Sequence, residues 1–118
     1  MGMNKKEFRE LLNKRNRRMS GENLCDVNMS GLNLSRANFS DACLLGANLT
    51  RATCRYSNFH NVNFSGAKLW GTDFTGCDLT GAFLNGCDIR EAKFKGAKVD
   101  KSQLPKLYEA LGVRINEN

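Results

Sequence analysis

Apolar side chains recur at every fifth position along most of the chain, in one unbroken register. An α-helix places its apolar residues about 3.6 positions apart and a strand places them two apart, so neither element produces this spacing. The period therefore predicts a repeat architecture in which each pentad gives one large side chain to a shared core. The series is Leu24, Met29, Leu34, Phe39, Leu44, Leu49, Cys54, Phe59, Phe64, Leu69, Phe74, Leu79, Leu84, Ile89, Phe94 and Val99.

Two further series with the same period flank the large one. The positions two residues earlier are mostly small and include Ala37, Ala47, Ala67 and Ala97. The positions two residues later hold eight of the 11 glycines, where a tight turn suits a residue without a Cβ atom. Each pentad is therefore predicted to have two inward-facing residues, two polar outward ones and a turn.

The repeats carry a family resemblance in segments such as GANLTRA, GAKLWG and GTDFTGCDLTGAFLNG. They resemble the pentapeptide-repeat family, whose consensus is A-(D/N)-L-x-x, over residues 22–101. The resemblance implies an all-β solenoid, a right-handed quadrilateral β-helix with four pentads in each coil. The 16 pentads then make about four coils. Residues twenty apart are stacked, and their side chains fill the lumen.

The flanking segments predict two short amphipathic helices, because a short solenoid has two apolar ends to cover. In residues 4–18, Asn4 and Glu7 have the spacing of a capping box, and Phe8 begins an apolar face. In residues 103–111 the apolar positions follow helical spacing and are Leu104, Leu107, Tyr108 and Leu111. The predicted organisation is an N-terminal basic capping helix at 1–21, the β-helix at 22–101, and a C-terminal capping helix with a tail at 102–118.

The whole chain has a formal net charge of +6, and most of this positive excess lies at the N-terminal end. This end is either a solvated helix face or a contact for nucleic acid or an anionic membrane. Its basic patch consists of Lys5, Lys6, Arg9, Lys14, Arg15, Arg17 and Arg18.

Outward positions twenty apart predict specific side-chain pairs. Trp70 is expected to stack on Arg90, with Arg51 and Lys68 nearby, and this group is the candidate interaction surface because Trp and Arg are common at interface hot spots. Three ion pairs are expected between adjacent coils, namely Lys68–Asp88, Asp73–Lys93 and Asp78–Lys98.

The chain offers little catalytic chemistry. His60 is its only histidine, and the five cysteines match no metal-binding spacing. Cys25 and Cys43 point outward and are the only cysteines that can meet, whereas Cys54, Cys77 and Cys87 face inward. Free thiols in a reduced, cytoplasmic, bacterial setting are expected. No catalytic residue, cofactor site or metal site is predicted.

These observations favour a non-enzymatic structural or protein-interaction module whose protein partner is not specified, as a monomer or as a homodimer through an end cap. The alternative is an adaptor that binds nucleic acid or anionic membrane through the basic N-terminal helix. A third function is implied by the resemblance alone, since some family members bind DNA gyrase or related topoisomerases as mimics of DNA and confer quinolone resistance. A short solenoid with a charge of +6 is a poor copy of a polyanion.

Overall fold

The computed structural model describes residues 2–112, and its backbone completes a turn every twenty residues. Parallel pairings of single residues join positions twenty apart along the repeats. Successive pairings start five residues apart, so each turn has four sides and each pentad forms one side of a solenoid. One column of pairings spans four such turns and consists of Arg18, Asn38, Asn58, Asp78 and Lys98.

The large residue of each pentad lies inside the solenoid. Fourteen of the 16 are buried, and the exceptions are Phe94 and Val99, which are half buried because no further coil covers them. Phe39 and Phe59, twenty residues apart, stack with their ring centroids 5.2 Å apart and their planes within 2°. The apolar side chains therefore form a packed core along the solenoid axis.

Polar residues at the small inward positions are satisfied by the backbone of the preceding coil. The Ser57 hydroxyl donates to the carbonyl oxygen of Leu34 at 2.7 Å, and the Thr72 hydroxyl donates to that of Leu49 at 2.8 Å. Burying a hydroxyl costs free energy unless it finds such an acceptor. The core therefore accepts these two residues in place of alanine.

Helix α1 spans Lys5–Lys14 and covers the N-terminal end of the solenoid. Its capping box is formed, since the Asn4 side chain accepts from the backbone N–H of Glu7 at 2.8 Å and the Glu7 carboxylate accepts from that of Asn4 at 3.0 Å. The helix ends before residue 18, the predicted limit. Asn16 and Arg17 adopt left-handed φ values of 51° and 62°, which turn the chain into the first coil.

The C-terminal segment differs from the single helix predicted over residues 103–111. It consists of a 3₁₀ turn at Lys101–Gln103, helix α2 at Leu104–Leu107 and a second 3₁₀ turn at Tyr108–Leu111. Segments this short gain too few backbone hydrogen bonds to offset the cost of starting a helix. Contacts with the last coil therefore hold this segment in place.

No helix within residues 2–112 is long and apolar enough to cross a membrane.

Candidate interaction surfaces

The tryptophan surface is built around a cation–π contact between adjacent coils. The guanidinium carbon of Arg51 lies 4.8 Å from the centroid of the Trp70 ring, and Trp70 is half buried. Arg51 occupies a turn position with a φ of 59°. Its side chain crosses Gly71, where a Cβ atom would lie 3.3 Å from the Arg51 Cγ. A glycine in the next coil thus makes room for the arginine.

The predicted stacking of Trp70 on Arg90 is wrong. Arg90 binds Asp88 instead, with its Nε and one terminal nitrogen each donating to a different carboxylate oxygen at 2.9 Å. The Arg90 hydrogen bonds lower the pKa of Asp88 to about 2. A bidentate ion pair within one coil fixes the guanidinium better than a single aromatic face in the next coil. Arg90 and Lys68 remain exposed on the same side as Trp70.

The three predicted ion pairs between stacked residues are also wrong, because the carboxylates fold back on their own coil. The Asp78 side chain accepts from the backbone N–H of Thr80 at 2.9 Å and from its hydroxyl at 2.6 Å, and Asp73 accepts from Thr75 in the same way. Partial burial by itself would raise the pKa of Asp73 and Asp78. The hydrogen bonds have the larger combined effect, so the pKa of each carboxyl group lies below its ordinary value. Lys93 and Lys98 contribute only longer-range attraction.

Some outward side chains contact each other although they are eighteen residues apart, and not the twenty that separate directly stacked residues. The Arg55 Nε lies 3.9 Å from the Asp73 carboxylate, eighteen positions along the chain. Cys25 and Cys43, the only cysteines that the sequence indicated could meet, have the same offset, and their Sγ atoms lie 2.9 Å apart. The first member of each pair directly follows a core residue, and the second directly precedes the core residue that stacks on it in the next coil. Contacts of this kind can be sought in the sequence as outward residues eighteen positions apart.

The five cysteines are free thiols and divide into two groups. Burial raises the pKa of Cys54, raises that of Cys77 to about 12 and raises that of Cys87 to about 11. Cys25 and Cys43 are half buried on the outer face. The hydrogen bond with Cys43 is the main reason that the pKa of Cys25 is raised. Only the outer pair is therefore open to reagents from solvent.

His60 lies on the surface in a short hydrogen-bonded chain. Its Nδ1 lies 2.8 Å from the hydroxyl oxygen of Thr80, which donates in turn to Asp78 at 2.6 Å. The hydroxyl is thus used as a donor to a carboxylate.

Residues 2–112 hold no group of three or more side chains suited to bind a metal ion.

The basic patch divides into structural and exposed residues. Arg17 donates to the carbonyl oxygens of Asn33 at 2.9 Å and Ser35 at 3.1 Å, and Arg15 forms an ion pair with Glu22. These two arginines join the end of α1 to the first coil. Lys5 is half buried. The remaining basic side chains are exposed and are Lys6, Arg9, Lys14 and Arg18.

An apolar groove of about 570 Å³ opens beside the last coil. It lies between the half-buried core residues Phe94 and Val99 and the C-terminal segment, where Leu104, Tyr108 and Leu111 line it. The amphipathic pattern of residues 103–111 did not predict this opening. A continuous helix would cover the last coil, whereas the broken segment covers it only in part.

These features define a class of protein, a β-solenoid with a packed apolar core. The pentapeptide-repeat model matches residues 18–53 and 57–99 in eight copies. The chain belongs to the pentapeptide-repeat family. No curated protein matches it significantly.

Solved structures of several pentapeptide-repeat proteins are similar to the chain. HetL, involved in heterocyst differentiation regulation in the cyanobacterium Nostoc, is 26% identical with a TM-score of 0.67, over 68% of this chain and 37% of HetL. QnrB1, a plasmid-mediated fluoroquinolone resistance protein, is 32% identical with a TM-score of 0.62, over 80% of this chain and 44% of QnrB1. The chain thus spans less than half the length of either. A second Nostoc protein, 21% identical over 85% of this chain and 99% of its own, shares the fold with a TM-score of 0.62.

Proposed function

We propose that this chain is a non-enzymatic interaction module that presents a rigid outer face to a protein partner. The tryptophan surface, formed by Trp70, Arg51, Lys68 and Arg90, carries the proposal. A half-buried tryptophan under an arginine presents a large aromatic edge to solvent, and tryptophan and arginine supply much of the binding energy of protein interfaces. Large, fully buried side chains such as Phe59, Phe64 and Phe74 fill the core beneath it.

A partner can be tested with a matched pair of variants. Tyr56 is also exposed and also lies beneath an arginine, since the guanidinium carbon of Arg36 is 5.2 Å from its ring centroid. Proteins crosslinked to the wild-type chain in its native cells are compared with those crosslinked to Trp70→Ala and to Tyr56→Ala. We expect Trp70→Ala to lose a partner that Tyr56→Ala retains, with affinity reduced about tenfold or more. Equal capture by both variants, with equal melting temperatures, contradicts this surface.

The second candidate function is an adaptor that binds an anionic surface through α1. It is favoured by the four exposed basic side chains Lys6, Arg9, Lys14 and Arg18, none of which forms an ion pair within residues 2–112. Opposite charge supplies most of such binding and makes it sensitive to salt.

The test of this candidate is retention on heparin and on anionic lipid vesicles over a series of salt concentrations. Reversing two charges in Lys6→Glu with Arg9→Glu should lower the salt needed for elution. Reversing Lys93 and Lys95, two exposed lysines of the last coil, is the control at equal net charge. Equal losses in both double variants indicate a general effect of net charge and contradict a specific role for α1. Mimicry of DNA is not proposed, because the chain is cationic.

A further inference from the structure

The outer face of the first two coils holds a close pair of thiols that no other part of the described chain repeats. The Sγ atoms of Cys25 and Cys43 lie 2.9 Å apart, compared with about 2.05 Å in a formed disulfide. Both side chains are half buried, whereas Cys54, Cys77 and Cys87 lie in the core. A small reagent can therefore reach this pair and not the other three.

The backbone holds the two thiols in register. The N–H of Leu24 donates to the carbonyl of Cys43 at 2.8 Å, and the N–H of Cys43 donates to the carbonyl of Glu22 at 2.9 Å. These bonds belong to the ladder between the first and second coils and position both cysteines on one face. The thiols are brought together by the repeat itself, because the diagonal offset of eighteen also brings Arg55 and Asp73 together.

We propose that Cys25 and Cys43 are the site of a reversible intramolecular disulfide, formed by exchange with a low-molecular-weight disulfide. One cysteine thiolate attacks a sulfur of the small disulfide, which gives a mixed disulfide and releases one small thiol. The second thiolate attacks the protein sulfur of that mixed disulfide and releases the other small thiol. The two cysteines lose two protons and two electrons in total, and the small disulfide is reduced to two thiols.

The bridge cross-links the coil at the N-terminal end of the solenoid to the next one. Within the ladder, the residues of this first coil pair with only one neighbouring coil, since their partners lie twenty residues later. A covalent link there restrains the opening of the Leu24 and Asp26 amides, which donate to Cys43 and Leu45 in the second coil. The expected consequence is slower amide exchange at this end, with no change at Phe74 in the third coil.

The experiment uses the full chain, reduced and then freed of reductant. It is incubated with excess oxidised glutathione at about pH 8.5, near the ordinary pKa of a thiol. Intact mass and peptide mapping follow the products. We expect the loss of two hydrogen atoms, no retained glutathione, and a cross-link between the peptides that contain Cys25 and Cys43. Dithiothreitol should restore the original mass.

Three variants separate the proposed bridge from general thiol reactivity. In Cys25→Ser and in Cys43→Ser the bridge should be lost completely, and one glutathione should remain attached to the surviving outer cysteine. Cys87→Ser is the matched control, because it removes a thiol of the core and should leave bridge formation unchanged. Two attached glutathiones on the wild-type chain, a cross-link that involves other cysteines, or five unchanged thiols would each overturn the proposal.

Discussion

The two ends of the solenoid are covered to very different degrees. At the N-terminal end, α1 places Phe8 and Leu12 against the first coil with 0% and 2% of their surfaces exposed. At the C-terminal end, Phe94 and Val99 stay half buried, and Leu111 of the covering segment is 72% exposed. Both flanks have an amphipathic pattern in the sequence, so the pattern alone does not determine how well an end is covered.

The difference lies in how each covering segment is held. Helix α1 has ten residues and a closed capping box, and it places the large side chains of Phe8 and Leu12 in the core. The C-terminal segment is anchored at two positions, by the buried apolar side chain of Leu107 and by the polar side chain of Gln103. The Gln103 amide nitrogen donates to the carbonyl oxygens of Leu79 at 2.7 Å and Ala82 at 3.0 Å. At the far end of the segment, Leu111 stays exposed.

The largest loss of stability is expected from an insertion that breaks the register of pentads between the two ends. Inserting one alanine after Gly76 shifts every later inward position by one and turns it outward. We expect the stability of the residues after 76 to fall by more than about 4 kcal/mol, while the coils that α1 covers keep their ladder. Hydrogen exchange measured by residue checks this. An insertion variant with unchanged protection throughout is incompatible with a continuous register of pentads.

A large effect is next expected at the N-terminal end. Phe8→Ala removes a fully buried ring between α1 and the first coil, and the cavity should cost about 3–5 kcal/mol in the free energy of unfolding. Urea denaturation measures the loss. Leu111→Ala is the matched apolar truncation at the other end, where less than about 0.5 kcal/mol is expected because the side chain is exposed. Equal losses at both ends would remove the contrast between them.

A smaller effect is expected for the anchor of the C-terminal segment. Gln103→Ala leaves the backbone carbonyls of Leu79 and Ala82 without this donor. It also removes the side-chain Oε1 of Gln103, which in the wild-type chain accepts from the backbone N–H of Asp100 at 2.7 Å. We expect a loss of about 1–3 kcal/mol. Faster exchange confined to the C-terminal segment is the accompanying signature. Ser102→Ala, at an exposed neighbouring position, is the control and should be neutral.

The smallest effect is expected on the stability of the fold at low pH, and it concerns the later coils more than the first. The outward position before the core residue is asparagine throughout the first coil, as at Asn28 and Asn33, whereas its three aspartates, Asp73, Asp78 and Asp88, lie in the third and fourth coils. The folded state lowers the pKa of both aspartates, so their contribution is complete above the unfolded value of about 3.9 and is lost as pH falls through the lower folded values.

We expect each aspartate to contribute less than about 1 kcal/mol, because these groups are partly exposed. Asp78→Asn should therefore reduce the loss of stability on acidification, as followed by thermal melting at pH values on both sides of that range. Its amide oxygen still accepts from Thr80, as Asn58 accepts from the backbone N–H of His60 at 2.9 Å. An unchanged acid response in Asp78→Asn would show that other carboxylates cause it.

The choice of cross-coil contacts was the part of the candidate surface that could not be derived in advance. The sequence places Trp70, Arg51 and Arg90 on one face, because a period of five in a twenty-residue turn leaves little freedom. It does not say which arginine meets the ring. Arg90 has Asp88 two residues away, and Arg51 has a glycine in the next coil across which it can lie. Such choices depend on rotamers whose energies differ by about 1 kcal/mol.

The sequence by itself determines the solenoid, its period, its inward residues and the position of α1, because each rests on a local pattern repeated many times. The sequence also indicates that Cys25 and Cys43 can meet. Only the tertiary structure decided the contact between Arg55 and Asp73, eighteen positions apart, and the open groove at the C-terminal end. The first depends on which way each outward side chain leans across the gap between coils. The second depends on whether a short segment can remain helical against a surface, and that balance is set by packing rather than by spacing along the chain.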